Sequence, residues 1–161
     1  VEHGITELVF GVDLVELQLL ATAGDPITAK PPASGRGHAV EVRLYAEDPE
    51  RGFIPQPGRL ERFEFPPEGP DFRVDTGLRP GDTVTPHYDP LLAKVMARGD
   101  SRPEAIARLL SGLRQSQVVL VGKTGAKRSN LELMQRLLDC PEFVSGDYTT
   151  HLVDDLLGRP R

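Results

Sequence analysis

The chain has 161 residues, 39% of them hydrophobic and 27% charged, the size of one domain that buries roughly two-thirds of its unfolded surface without a covalent staple. A formal net charge of -5 gives no basic face for nucleic acid or an anionic membrane. The lone cysteine, Cys140, excludes an internal disulfide framework or cysteine metal cluster and points to a reducing compartment. No apolar run approaches the ~20 residues of a membrane span, no signal peptide opens the chain, and the start at Val1 rather than Met suggests a segment of a longer protein.

In chain order, Leu8-Val9-Phe10 before Gly11 predicts a single packed turn. Asp13 with Glu16 is a variant capping box, and Leu14, Leu17, Leu20 and Ala21 recur at helical spacing, so a helix is expected over 14–23. Lys30 to Gly37 has the makeup of an exposed connector. Val40, Val42 and Leu44 then alternate with Ala39, Glu41, Arg43 and Tyr45, the pattern of a half-buried strand. Arg51 to Gly58 holds too many breakers for regular structure, but Phe53 and Ile54 make it an ordered loop. Residues 60–65 alternate again, Pro66 to Pro70 predicts a turn, and Phe72 to Asp75 is expected to return antiparallel on that strand. Arg79-Pro80-Gly81-Asp82 is a further turn, and Leu91 to Arg98 a strand with Leu91, Ala93, Val95 and Ala97 on its apolar face.

Ser101 and Glu104 form a capping box ahead of Ile106, Leu109, Leu110 and Leu113, spaced i, i+3, i+4, i+7. A short strand over 118–121 and a loop over 122–125 follow. Ser129 with Glu132 caps a helix carrying Leu131, Met134, Leu137 and Leu138 that Pro141 stops, and a last helix carries Leu152, Val153, Leu156 and Leu157. Helix, antiparallel strands, then helices make an α+β domain: a small antiparallel β-sheet with flanking helices.

The four histidines, His3, His38, His87 and His151, are scattered with no metal-binding spacing, and no phosphate-binding glycine loop is present. Gly122-Lys123-Thr124-Gly125 has only the tail of a P-loop. Ala93-Lys94-Val95-Met96 has the wrong order for a biotin-acceptor lysine, and strand burial accounts for it. Arg43 remains: a guanidinium fixed on the open face of a strand keeps its charge and offers forked donors to an anion, although pairing with Glu41 two residues away is the plainer account. Glu2 by composition is a solvated carboxylate near the terminus, and Tyr88-Asp89-Pro90 is a third polar cluster.

Val1-Glu2-His3 with Thr6-Glu7, Gly11-Val12-Asp13-Leu14, Gly37-His38-Ala39-Val40-Glu41 with Arg43, Ala46-Glu47-Asp48-Pro49, and Tyr88-Asp89 before Leu92-Ala93-Lys94 resemble biotin carboxylase, in order and as far as about Asp155. The resemblance is to the carboxy-terminal subdomain, over residues 1–161, without the ATP-grasp domain. It departs at Gly4, where many members have proline, and at His87-Tyr88, where many have two tyrosines.

The resemblance implies ATP- and bicarbonate-dependent carboxylation of biotin on a carrier protein, with ATP and Mg2+ as cofactors of the parent ligase and none bound by this chain alone. It implies Glu2 as general base on bicarbonate, Arg43 as stabiliser of the biotin enolate, Val1 and Arg43 at the substrate, and Tyr88 and Asp89 in support. It further implies a biotinylated carrier protein or domain as partner, a homodimer through the Phe72-Arg73 region, an inactive isolated fragment, and a cytoplasmic or, in a eukaryote, mitochondrial-matrix location. The rival reading is a non-catalytic dimerisation or docking module of the same fold. The carboxyl acceptor, whether acyl-CoA, pyruvate or urea, is chosen by other domains.

Overall fold

The computed structural model describes residues 2–28, 30 and 32–159. Helices α1 (His3–Phe10) and α2 (Leu14–Ala23) lead into strand β1 (His38–Tyr45). Then come β2 (Glu47–Asp48), a 3-10 turn (Pro49–Arg51), β3 (Ile54–Pro55), β4 (Gly58–Glu64), β5 (Phe72–Asp75), β6 (Thr83–Val84) and β7 (Leu91–Gly99). Helix α3 (Arg102–Gln115), the hairpin β8 (Gln117–Gly122) and β9 (Gly125–Lys127), and helices α4 (Leu131–Leu138), α5 (Pro141–Ser145) and α6 (Leu152–Leu156) complete the chain.

The sheet that matters for the site has the order β1-β7-β5, all antiparallel. Because side chains alternate across a strand, the register Val40↔Ala97, Val42↔Val95 and Leu44↔Ala93 stacks one apolar face, to which Phe72 and Val74 of β5 add opposite Ala97 and Val95. That face meets α3, whose Ile106, Leu109 and Leu113 are buried with Leu44 and Val95 in one core. Burying each such side chain contributes about 1.5–3 kcal/mol. The second sheet, β6-β4-β8-β9, brings Val84, Leu60, Phe63 and Leu120 to the same core.

The opposite face of β1-β7-β5 pairs Glu41 with Met96 and Arg43 with Lys94, and β5 adds Arg73 and Asp75. Helix α1 lies across it. A Cβ on Gly4 would stand 2.1 Å from Met96 Sδ, so the missing side chain is what lets the helix backbone reach the sheet. Met96 is therefore buried on the face opposite Val95, and β7 is covered on both sides.

Several expectations change. Residues 3–10 form a full helix rather than one turn. β5 pairs with β7 and not with β4, because its alternating Phe72 and Val74 extend the apolar face of β7. The loop over 51–58 contains β3, which pairs with β2, and the loop over 122–125 is the tip of a hairpin. Asn130, not Ser129, is the cap residue of α4, and its side chain makes no cap bond. Pro141 opens α5 at its first turn, where a missing N–H costs nothing. The helix over 14–23 and the helix capped by Ser101, whose hydroxyl accepts from Glu104 N–H, are as expected. The architecture is α+β.

Candidate functional site

The charged face of β1-β7-β5 and the helix laid across it form the site. Glu2 stands just before α1 with a left-handed backbone, φ 44, and its Oε1 accepts a hydrogen bond from Arg43 Nη2 across 41 positions of sequence. Arg43 is thus paired chiefly with Glu2. Glu41 Oε1 lies 3.9 Å from Arg43 Nε, beyond hydrogen-bond reach. The Arg43 guanidinium is held above its ordinary basicity by the Tyr45 side chain first and by Glu2 second. Arg43 and Glu2 are open to solvent, with side chains 40% and 56% exposed.

Behind this pair the face becomes drier. The Glu41 side chain is only 7% exposed, and its Oε2 is buried without a hydrogen-bond partner. Burial pushes its carboxyl above the usual range, against the pull of Lys94 and Arg43. Further along, Asp75 pairs with Arg73 at 2.6 Å and Lys94 at 3.4 Å, and His3 Nε2 lies 3.9 Å away. Burial would raise the Asp75 carboxyl, but the Arg73 hydrogen bonds and the neighbouring charges together lower it. Arg73 also reaches Glu7 at 2.5 Å, and Glu7 accepts from Leu14 N–H at 2.8 Å. One carboxylate thus ties α1, the start of α2 and β5 together. A groove of about 520 Å³ adjoins the cluster at Asp75 and Lys94.

The edge of β1 away from β7 is closed by Asn130. Its side chain accepts from Tyr45 N–H at 2.9 Å and donates to the Arg43 carbonyl at 3.0 Å. Its backbone N–H donates to the Tyr45 carbonyl at 3.1 Å.

The structure brings Glu2 and Arg43 together. Val1 lies outside the described residues. Tyr88 is 82% exposed in the loop before β7, and Asp89 accepts from Leu91 N–H at 2.8 Å. The charge of Asp89 acts on Glu47, whose carboxyl is raised by burial first and by Asp89 second. Among the described residues no hydrogen bond or ion pair joins Tyr88 or Asp89 to Glu2 or Arg43. Phe72 is a core residue, packed against Gly112 of α3. Of the Phe72-Arg73 region expected at a dimer contact, Arg73 is the partly exposed member, at 33%. Sequence reasoning missed the burial of Glu41 and the roles of Tyr45 and Asn130. Strand alternation places Tyr45 beside Arg43, but nothing local marks Asn130.

Chemically, the arrangement offers a base and a fixed cation side by side, with a guanidinium whose five donors are only partly used. Among the described residues no group of three or more His, Cys, Asp or Glu side chains is placed to hold a metal ion. No described helix is long and apolar enough to cross a membrane.

Residues 41–155 match the family model described as the biotin carboxylase C-terminal domain. The chain is 40% identical over 158 residues to a biotin carboxylase of Halalkalibacterium halodurans, covering 98% of this chain and 33% of that one. It is 38% identical over 157 residues to the mitochondrial methylcrotonoyl-CoA carboxylase subunit alpha of Arabidopsis thaliana, covering 96% and 20%. Among solved structures, it superposes with a TM-score of 0.86 and 29% identity on the biotin carboxylase domain dimer of Hydrogenobacter thermophilus 2-oxoglutarate carboxylase in complex with MgADP, ADP and bicarbonate, covering 96% of this chain and 33% of that one. The chain spans about a third or less of the length of these relatives.

Proposed function

Because the chain belongs to the biotin carboxylase C-terminal domain family, we propose that residues 1–161 form that subdomain of a biotin carboxylase and supply Glu2 and Arg43 to ATP- and bicarbonate-dependent carboxylation of biotin. The observation that carries this reading is the Glu2–Arg43 pair on the charged face of the sheet. Glu2, a carboxylate on the charged face, takes the proton of a bicarbonate held within its hydrogen-bond reach by further parts of the carboxylase. Arg43 turns its forked donors to the ureido oxygen of the biotin substrate, where negative charge gathers as the ureido nitrogen gives its proton to the phosphate released once bicarbonate has been activated by ATP. A preorganised guanidinium in a dry site stabilises such charge by about 3–4 kcal/mol. The pair is open to solvent in this chain, so the water exclusion this requires comes from further parts of the carboxylase, as do the ATP site and the magnesium ligands. Val1, beside Glu2, and Tyr88 and Asp89, on the loop before β7, complete the proposal as substrate-contacting and supporting residues.

The partner implied is a biotinylated carrier protein or domain. Self-association, with Arg73 at its edge, is favoured by the dimeric Hydrogenobacter relative, and docking onto another segment is favoured by the uncovered side chains of α2. Both are compatible with the catalytic reading. The test is Arg43→Ala in a carboxylase containing this chain. Biotin-dependent ATP cleavage is expected to fall by about 10²- to 10³-fold with folding retained, and normal turnover removes Arg43 from the mechanism. Mixing the chain with the remaining portion of the carboxylase separates the readings, since restored cleavage supports catalysis and self-association without it supports the docking module.

A further inference from the structure

We infer that Asn130 is a positioning residue for Arg43, an inference that rests on the catalytic reading of Arg43 proposed above. Asn130 occupies the cap position of α4, where an asparagine side chain ordinarily accepts from its own helix. Here it makes no such bond. The amide instead turns across the fold to β1, where Oδ1 accepts from Tyr45 N–H and Nδ2 donates to the Arg43 carbonyl. The Asn130 backbone N–H adds a bond to the Tyr45 carbonyl.

The place of this grip gives it a functional consequence. β1 is an edge strand, so the outward N–H and C=O groups of residues 43 and 45 have no neighbouring strand. The register of β1 on β7 also shifts between Leu44 and Tyr45, and such an irregularity re-aims the side chains on either side of it. Asn130 stands in for the absent strand at that irregularity. It fixes the carbonyl of Arg43 and both backbone groups of Tyr45, so the backbone that carries the guanidinium is held at its outer edge. Only 5% of Asn130 is exposed, so removing the amide leaves the Tyr45 N–H and the Arg43 carbonyl without a protein partner. Freed of them, the strand end relaxes and the guanidinium loses its aim.

The experiment uses a carboxylase containing this chain, with Asn130→Ala, Arg43→Met and the double variant. Biotin-dependent turnover is measured per folded enzyme, alongside ATP cleavage driven by bicarbonate without biotin. Asn130→Ala is expected to lower kcat of the biotin-dependent reaction about 10- to 100-fold, leave KM for ATP and the biotin-independent cleavage unchanged, and have no further effect once Arg43 is Met. An equal loss in both backgrounds, or loss of the biotin-independent cleavage to the same degree, makes Asn130 a purely structural staple and overturns the inference while the reading of Arg43 stands. Full turnover by Arg43→Met removes that reading itself, and this inference with it. Should the alanine variant not fold, Asn130→Asp keeps the acceptor for Tyr45 N–H while setting an oxygen against the Arg43 carbonyl. It is expected to lose kcat in the Arg43 background only, and unchanged kcat for Asn130→Asp likewise overturns the inference.

Discussion

Glu41 shares a strand face with Arg43, yet the two residues live in different solvents. Arg43 reaches water, while Glu41 is pressed beneath α1 with Oε2 buried and unpartnered. Two effects compete for its proton. Lys94 and Arg43 favour the carboxylate, burial favours the acid, and burial is the larger. A carboxyl raised above its ordinary 4.5 helps folding fully below that value, and the help is lost as pH rises through the folded-state value. Glu41→Gln, which cannot ionise, is therefore expected to raise the melting temperature of the chain near neutral pH, with the gain shrinking toward about pH 4. Thermal melts at several pH values check this, and an equal or lower melting temperature at neutral pH would show the two cations dominating. The sequence made Glu41 legible only as a neighbour of Arg43. Its burial depends on the close approach of α1 at Gly4, 37 positions earlier, where an added Cβ would stand 3.6 Å from its carboxylate.

At the level of elements, most local readings hold, the cap of α4 and the β8–β9 hairpin excepted, and those that depend on distant pairing do not. Val40, Val42 and Leu44 announced β1, and Ser101 with Glu104 announced α3, because alternation and capping are written in neighbouring residues. α1 was underestimated because its support is tertiary. Gly4 rests on Met96, and Glu7 is bound by Arg73. β5 was assigned to β4 because the proline-rich turn between them looked like a hairpin, whereas its partner β7 lies across a longer connection. The site followed the same division. Arg43 could be singled out by its strand face, Glu2 only by family resemblance, and Asn130 by neither, since its partners are 85 and 87 positions away. The contact of β5 with α3 is narrow enough to test: a Cβ on Gly112 would lie 2.2 Å from Phe72 Cε2. Gly112→Val forces the ring out of its place and is expected to cost about 1–3 kcal/mol, measured by denaturant unfolding. A variant as stable as the original would mean that β5 slides freely over the helix.

Across the whole molecule, one three-stranded sheet separates two kinds of surface. Its apolar side is sealed by α3 into the core, and its charged side carries the Glu2–Arg43 pair under the edge of α1. The core side holds the charged side in register, so the alignment of Arg43 is set by packing on the far face of its own strand. α2 stands apart from this arrangement. None of its residues is buried, and Val15 and Leu19 lie 46% and 67% exposed. It is held by its ends, through Asp13 accepting from Glu16 N–H, Glu7 accepting from Leu14 N–H, and Gly24 closing its last turn. A helix of 10 residues is marginal without packing. In the isolated chain its amides are expected to exchange with deuterium through frequent local opening, while those of β1 and β7 exchange only on unfolding of the whole domain. Equal protection in α2 and β7, measured by exchange and mass spectrometry, would contradict this. Slowing of that exchange when the remainder of the carboxylase is added would give a local clock for assembly, readable before any turnover is measured.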